Sequence, residues 1–196
     1  MKKIKTIFDR DWEGDKTVID KPLAGLSLEM LALDQTVIAT EKIDGMNVRL
    51  TVRKNEVVRL EKRRNPDKIQ KQKGIEEPWY VDADPFSPAD KYLYEAVKNT
   101  DLTDIEDGEW SGEAVGLNIQ GNPLGLDKNT VMLFSCGKAP VFENVPTTYK
   151  ELKEWLPLQK TKFGNPEMPI EGIVWHCKNG EMFKIKTKDF VKDNRK

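Results

Sequence analysis

Glu41-Lys42-Ile43-Asp44-Gly45 leads directly into Met46-Asn47-Val48-Arg49-Leu50-Thr51-Val52-Arg53. Over those last eight positions apolar and polar residues alternate, the period of a strand with one buried face. The apolar run Val37-Ile38-Ala39 predicts an earlier strand over about 36–41. The lysine, the carboxylate two residues on and the following glycine therefore occupy a short link between strands. Gly45 admits either a close backbone approach to a ligand or a positive φ. A lysine fixed at a strand end suits a nucleophile, because lysine amines form covalent intermediates where a cationic or desolvated setting lowers their pKa. Read alone, the same five residues also describe a surface turn with a solvated ion pair.

Outward from this stretch, Lys54-Asn55-Glu56 reads as a hairpin turn into a strand at Val57-Val58-Arg59-Leu60. Residues 65–86 carry Pro66, Gly74, Pro78 and Pro85 and read as a long loop anchored by Trp79 and Tyr80. Ser87-Pro88 predicts a helix start, with Tyr92, Leu93, Ala96 and Val97 as its buried stripe to about Asn99. Strands are expected at 109–115 and 131–134, around the Gly/Pro-rich loop 116–125. Thr147 or Thr148 caps a second helix with Leu152, Trp155 and Leu156 inward, ended by Pro157. The last unit is a hairpin, 172–177 and 182–186 about Lys178-Asn179-Gly180, since Asn-Gly between strand patterns is the strongest short hairpin signal. Towards the N-terminus, Leu26, Leu28, Met30, Leu31 and Leu33 suggest a short packed helix or irregular segment. With no internal repeat and no linker, residues 1–196 read as one α+β domain of antiparallel sheets with flanking helices.

Composition narrows the function classes. The chain is long enough for one well-filled core, and no apolar run nears the roughly 18 residues a membrane span needs. The basic N-terminus lacks the apolar core and cleavage site of a signal peptide. Cys136 and Cys177 form no Cys-x-x-Cys pair, and His176 is the only histidine, which argues against structural zinc and most histidine-based mechanisms. These features predict a soluble, intracellular, disulfide-free protein that does not engage membranes. Net charge is −1, against indiscriminate nucleic-acid binding. Yet Arg59, Lys62, Arg63, Arg64, Lys68, Lys71 and Lys73 stand against only Glu61 and Asp67, residues 76–109 are acidic, and the chain from Lys178 is basic again. Such segregation makes either a local phosphate-binding track or a solvated face.

Four further features accompany the lysine. Arg63 follows Lys42 by 21 residues. Gly112-Glu113 precedes the loop Gly116-Leu117-Asn118-Ile119-Gln120-Gly121-Asn122. Glu171-Gly172 opens the final hairpin, and Lys184-Ile185-Lys186 puts two lysines on one strand face. Two lysines on one face are costly unless they meet solvent or anions.

In order and spacing this set resembles the covalent nucleotidyltransferase superfamily, the ATP-dependent polynucleotide ligases and mRNA capping guanylyltransferases, over roughly Glu41 to Lys188. Within it the sequence resembles phage-type RNA ligases. Asn47, five residues after the lysine, matches that group where typical DNA ligases carry arginine. Gly112-Glu113-Ala114-Val115-Gly116 with Ile119-Gln120-Gly121-Asn122 resembles their third motif. Arg49 lies two residues from the DNA-ligase arginine and is not equated with it.

The resemblance implies a ligase-type nucleotidyltransferase (ATP-grasp-like) domain, acting in phage or host-cell cytoplasm. The implied activity is ATP-dependent RNA ligation, sealing 5′-phosphate and 3′-hydroxyl ends through lysyl–AMP and an adenylylated RNA end. ATP would be the co-substrate, with Mg2+ or Mn2+ at the phosphate oxygens. Lys42 is then the nucleophile, and Asp44 orients it or a metal-bound water. Glu41 and Ile43 flank it at the nucleotide. Glu113 holds ribose hydroxyls or metal, preferred over Glu109 for the loop behind it, and Glu171 is a metal ligand. Lys184 and Lys186 grip the α-phosphate. Phe134, before Ser135, stacks on adenine or is a plain core aromatic. Arg63, with Lys62 and Arg64, holds the 5′-phosphate of the accepting strand in a forked pair. Asn47 acts at the nucleotide or the 3′-terminal ribose. Only ten residues follow Lys186, so no C-terminal OB-fold or accessory domain is expected. The basic stretches 59–73 and 184–196, or a partner protein, would then supply the missing grip. A minimal DNA ligase and a non-catalytic module holding a nucleotide or RNA end are the alternatives. Lys42, Glu113, Glu171, Lys184 and Lys186 together argue against the second.

Overall fold

Strict alternation makes Met46–Arg53 the centre of a sheet. The computed structural model describes residues 3–23, 25–134 and 139–191. Its strands are β1 (Lys5–Thr6), β2 (Phe8–Arg10), β3 (Val18–Pro22), β4 (Ile38–Glu41), β5 (Met46–Arg53), β6 (Glu56–Arg64), β7 (Trp79–Asp82), β8 (Gly108–Val115), β9 (Thr130–Leu133), β10 (Gly172–His176) and β11 (Met182–Lys186). Its helices are α1 (Leu28–Leu33), α2 (Lys68–Gln72), α3 (Lys91–Lys98) and α4 (Tyr149–Trp155). The fold class is α+β. The chain divides into two compact units, one from Asp44–Ala139 and one from Ile4–Ile43 with Pro140–Lys196.

In the first unit five antiparallel strands take the order β7-β6-β5-β8-β9. Val48, Leu50 and Val52 of β5 are fully buried, each worth about 2 kcal/mol. They pack with Leu60, Ala114, Val131 and Leu133 and with Leu93 and Ala96 of α3. The intervening residues Asn47, Arg49 and Thr51 project from the other face. Lys54 and Asn55 both have positive φ (51° and 63°) and connect Arg53 to its partner Glu56. That is the two-residue hairpin whose backbone twist matches its strands.

Three sequence expectations change here. β6 continues past Leu60 to Arg64, so Arg63 lies on the strand rather than beyond it. Residues 65–86 are not one loop. Asp67 and Gln70 form a reciprocal capping box that starts α2, and Trp79–Asp82 pair with β6 as an edge strand. The third helix begins at Lys91 rather than at Ser87-Pro88. A hydrogen-bonded turn occupies 87–90, with Asp90 N–H donating to the Ser87 carbonyl.

In the second unit four strands take the order β1-β11-β10-β4, with β1 alongside β11 in parallel and the other pairs antiparallel. β2 and β3 form a separate pair. Ile7, Phe8, Leu152, Leu156, Ile173, Trp175, Phe183, Ile185 and Phe190 make its core. Thr148 caps α4 by accepting from Glu151 N–H, as its position before the helix predicts. The final hairpin turns at Lys178-Asn179-Gly180, as the sequence predicts. Gly180 N–H donates to the Cys177 carbonyl, Gly180 alone in this loop takes positive φ (82°), and Cys177 N–H donates to the Glu181 carbonyl. This is a three-residue loop with a glycine bulge. On α1, Leu28 and Leu31 are buried, but Met30 and Leu33 are 61% and 82% exposed, so only part of the expected stripe packs. Ser135, Cys136 and residues 192–196 lie outside the described residues. No described helix is long and apolar enough to cross a membrane.

Candidate active site

Lys42 follows the end of β4, and its N–H donates to the Gly172 carbonyl at 2.9 Å. That bond ties its backbone to the start of β10. A Cβ on Gly172 would lie 2.1 Å from the Ile185 carbonyl oxygen, so only glycine lets β10 and β11 approach beside it. The Lys42 ammonium donates to Glu171 Oε2 at 2.5 Å, while Lys186 and Lys188 approach Oε1 at 3.6 and 3.9 Å. Lys42 and Lys186 are each 19% exposed and Glu171 12%, so this charge lies at a partly dried surface. Three ammonium groups about one carboxylate leave a net positive field that favours phosphate. Phe183 and Ile185 are buried, which turns Lys184 and Lys186 together to the opposite face of β11, as alternation predicts. Burial lowers the Lys186 pKa, partly opposed by the Glu171 charge.

Glu41 is buried, and both its oxygens are engaged. Thr161 hydroxyl donates to Oε1 at 2.5 Å and Lys162 N–H to Oε2 at 2.9 Å. Burial raises its carboxyl pKa despite these donors. Glu41 thus pins the 161–162 segment beside the end of β4 that leads to Lys42, a role its position in the sequence does not disclose. The Ile43 side chain is buried and so is not presented at the surface.

In the other unit the remaining candidates share the polar face of the five-stranded sheet. Tyr80 stands opposite Arg63, and Asn47 opposite Glu113. Val48 pairs with Lys62, so Asn47 and Arg63 come one step further along their strands. Asn47 is buried; its Nδ2 donates to the Gly112 carbonyl (3.2 Å) and Glu113 Oε1 (3.4 Å), and its Oδ1 accepts from the Tyr80 hydroxyl (2.8 Å). In the next row Arg49 forks onto the buried Glu61 at 2.7 and 2.8 Å, and its guanidinium lies 4.6 Å over the Tyr80 ring. Asp44 and Gly45 open this unit. A Cβ on Gly45 would meet the Ala114 carbonyl oxygen at 2.4 Å, so this glycine makes room for β8 and does not take positive φ. Glu109, the other glycine-linked glutamate, contacts Arg49 at 3.3 Å.

The basic run on β6 separates by face. Lys62 points to the apolar side, where its ammonium meets both oxygens of the buried Asp90 at 2.5 and 2.6 Å. This corrects the expectation of a phosphate contact there, because the charge is spent on an internal carboxylate. Arg59 is bound to Asp82. Among the described residues Arg63 and Arg64 have no ion-pair partner, and Arg63 is on the face of Asn47 and Glu113. Phe134 is half-buried just past β9 rather than on it. Lys188, Thr161 and Lys162 are not site candidates from the sequence, and Tyr80 reads there only as a loop anchor. Lys188 alone carried a signal, continuing the alternate lysines 184 and 186.

These two groups of residues sit on a known fold. The chain is similar to Naegleria gruberi RNA ligase, solved as a mutant with ATP and Mn, with a TM-score of 0.52 and 14% identity over 97% of this chain and 62% of that one. Another mutant of that enzyme, with AMP and Mn, aligns with a TM-score of 0.52 and 12% identity, over 94% of this chain and 60% of that one. The fold is therefore shared with that RNA ligase. The family model described as RNA ligase 1 matches residues 90–191, and the chain belongs to that family. Two curated proteins named RNA ligase 1, from Pongo abelii and Rattus norvegicus, are 38% and 37% identical over 76 residues, 37% of this chain. The chain spans 22% of the length of these curated relatives in that match.

Proposed function

We propose that this protein is an ATP-dependent RNA ligase that seals 5′-phosphate and 3′-hydroxyl ends by way of lysyl–AMP. The observation that carries the reading is Lys42 held on Glu171 among Lys186 and Lys188. Family membership and a fold shared with a ligase solved with ATP and Mn support it.

The reaction needs Lys42 Nζ to lose a proton and attack the α-phosphorus of ATP in line. A P–N bond forms, and the bond to pyrophosphate breaks. The group in contact with that ammonium is Glu171 Oε2, the nearest acceptor for its proton. Lys186 and Lys184 would stabilise charge on the α-phosphate oxygens. AMP would then pass to an RNA 5′-phosphate, and the 3′-hydroxyl of the other end would displace it. Arg63 would fork onto the 5′-phosphate, Asn47 would contact the 3′-terminal ribose, Glu113 the nucleotide ribose, and Phe134 the adenine ring. Glu171 and Glu113 are hard carboxylate donors, a type that suits Mg2+ or Mn2+ bound mainly through phosphate oxygens and water. Such an ion would neutralise phosphate charge.

Incubation with α-labelled ATP and metal, followed by denaturing electrophoresis, tests the reading. Covalent, acid-labile label is expected on the wild-type protein and not on Lys42→Ala. Absence of label on both would favour a binding module. Sealing of DNA nicks but not RNA ends would favour a DNA ligase.

A further inference from the structure

We infer that Tyr80 is a positioning residue for the joining step, its hydroxyl dictating which end of the Asn47 amide faces substrate. The inference rests on the proposal above that Asn47 meets the RNA 3′ end. An asparagine amide fits its site in two orientations related by a half-turn, with oxygen and nitrogen exchanged. Here the two Nδ2 hydrogens have acceptors, the Gly112 carbonyl at 3.2 Å and Glu113 Oε1 at 3.4 Å. The shortest of the Asn47 side-chain bonds is the 2.8 Å one from the Tyr80 hydroxyl to Oδ1. With both hydrogens and one lone pair committed, Asn47 offers substrate a single acceptor, the second lone pair of Oδ1. An acceptor fixed in that way receives a ribose hydroxyl and turns away a phosphate oxygen.

The tyrosine is itself held. Its ring lies under the Arg49 guanidinium, whose donors fork onto the buried carboxylate of Glu61. Its hydroxyl is 3.5 Å from the Ser111 hydroxyl on β8, and its backbone pairs with Arg63. Glu61, Arg49, Tyr80 and Asn47 therefore form one brace across β6, β5 and β7. Arg49 acts as an internal counter-ion within it.

The test measures joining of a 5′-adenylylated RNA strand to a 3′-hydroxyl RNA end without ATP, so lysine labelling is bypassed. Tyr80→Phe keeps the ring and its stacking on Arg49 and removes only the hydroxyl. It is expected to slow joining about tenfold, the worth of one hydrogen bond. Asn47→Ala is expected to slow it further, and Tyr80→Phe should add nothing in the Asn47→Ala background. A purely structural tyrosine would instead slow both backgrounds by the same factor, and that outcome overturns the inference. So does joining at the wild-type rate by Tyr80→Phe or by Asn47→Ala, or no joining by the wild-type protein. Loss of lysine labelling in the wild type bears on the proposed function alone.

Discussion

At the scale of single residues, neighbouring basic side chains on β6 have opposite fates because a strand turns successive side chains to opposite faces. Lys62 faces inward to Asp90, and Arg63 faces the sheet's polar side. Lys62→Ala would leave a buried carboxylate without its counter-ion, so it is expected to cost about 3 kcal/mol of stability, read by urea unfolding. Arg63→Ala should leave the unfolding midpoint within about 0.5 kcal/mol of wild type. The same change should slow sealing on the order of 10- to 100-fold, with lysine adenylylation kept and the adenylylated protein, not adenylylated RNA, accumulating in a gel assay. Equal effects of the two substitutions on stability would show that the face assignment is wrong. Charge-run reading found the cluster but could not separate its members. Both lysine and arginine were legible as cations, while Asp90, 28 residues on, entered only through folding.

At the scale of elements, local pattern served where backbone preference and burial agree. Alternation located β5, and Thr148 located the start of α4. It failed where long-range pairing supplies the stability. β6 beyond Leu60 is Glu61-Lys62-Arg63-Arg64, with no apolar period, and persists as a strand because β5 and β7 bond it on both sides. β7 was hidden for the same reason, between prolines at 78 and 85. The hairpin between β5 and β6 offers a direct test of local backbone chemistry. Lys54 and Asn55 both hold positive φ, so Lys54→Asn with Asn55→Gly should gain about 0.5–1 kcal/mol by calorimetry. Asn55→Val should lose about 1–2 kcal/mol, since a β-branched residue disfavours that region.

At the scale of the whole molecule, stability should carry the mark of the single histidine. His176 is half-buried on β10, with its Nε2 2.9 Å from the Thr40 hydroxyl, and burial lowers its pKa below 6.5. The folded state then binds fewer protons than the unfolded one as pH falls below that value. Its contribution is therefore full above pH 6.5 and is lost as pH falls through the window towards the folded pKa. Subtracting the unfolding free energies of His176→Gln from wild type should show this slope; a flat difference between pH 7 and 5 would contradict it.

The linear chain by itself determined the α+β class, the central strand, the short link that carries Lys42 and the ordered set of charged residues that resembles a nucleotidyltransferase. These depend on period, spacing and residue chemistry, which are local or survive in order. Only the tertiary structure decided that Glu171 holds Lys42, that Glu41 is tied to Thr161 and Lys162, that Lys62 is spent on Asp90, and that Tyr80 holds Asn47. Each of these is a polar contact between residues 28 to 129 positions apart. Its partner is chosen by strand register and burial, and neither is written in the neighbouring sequence.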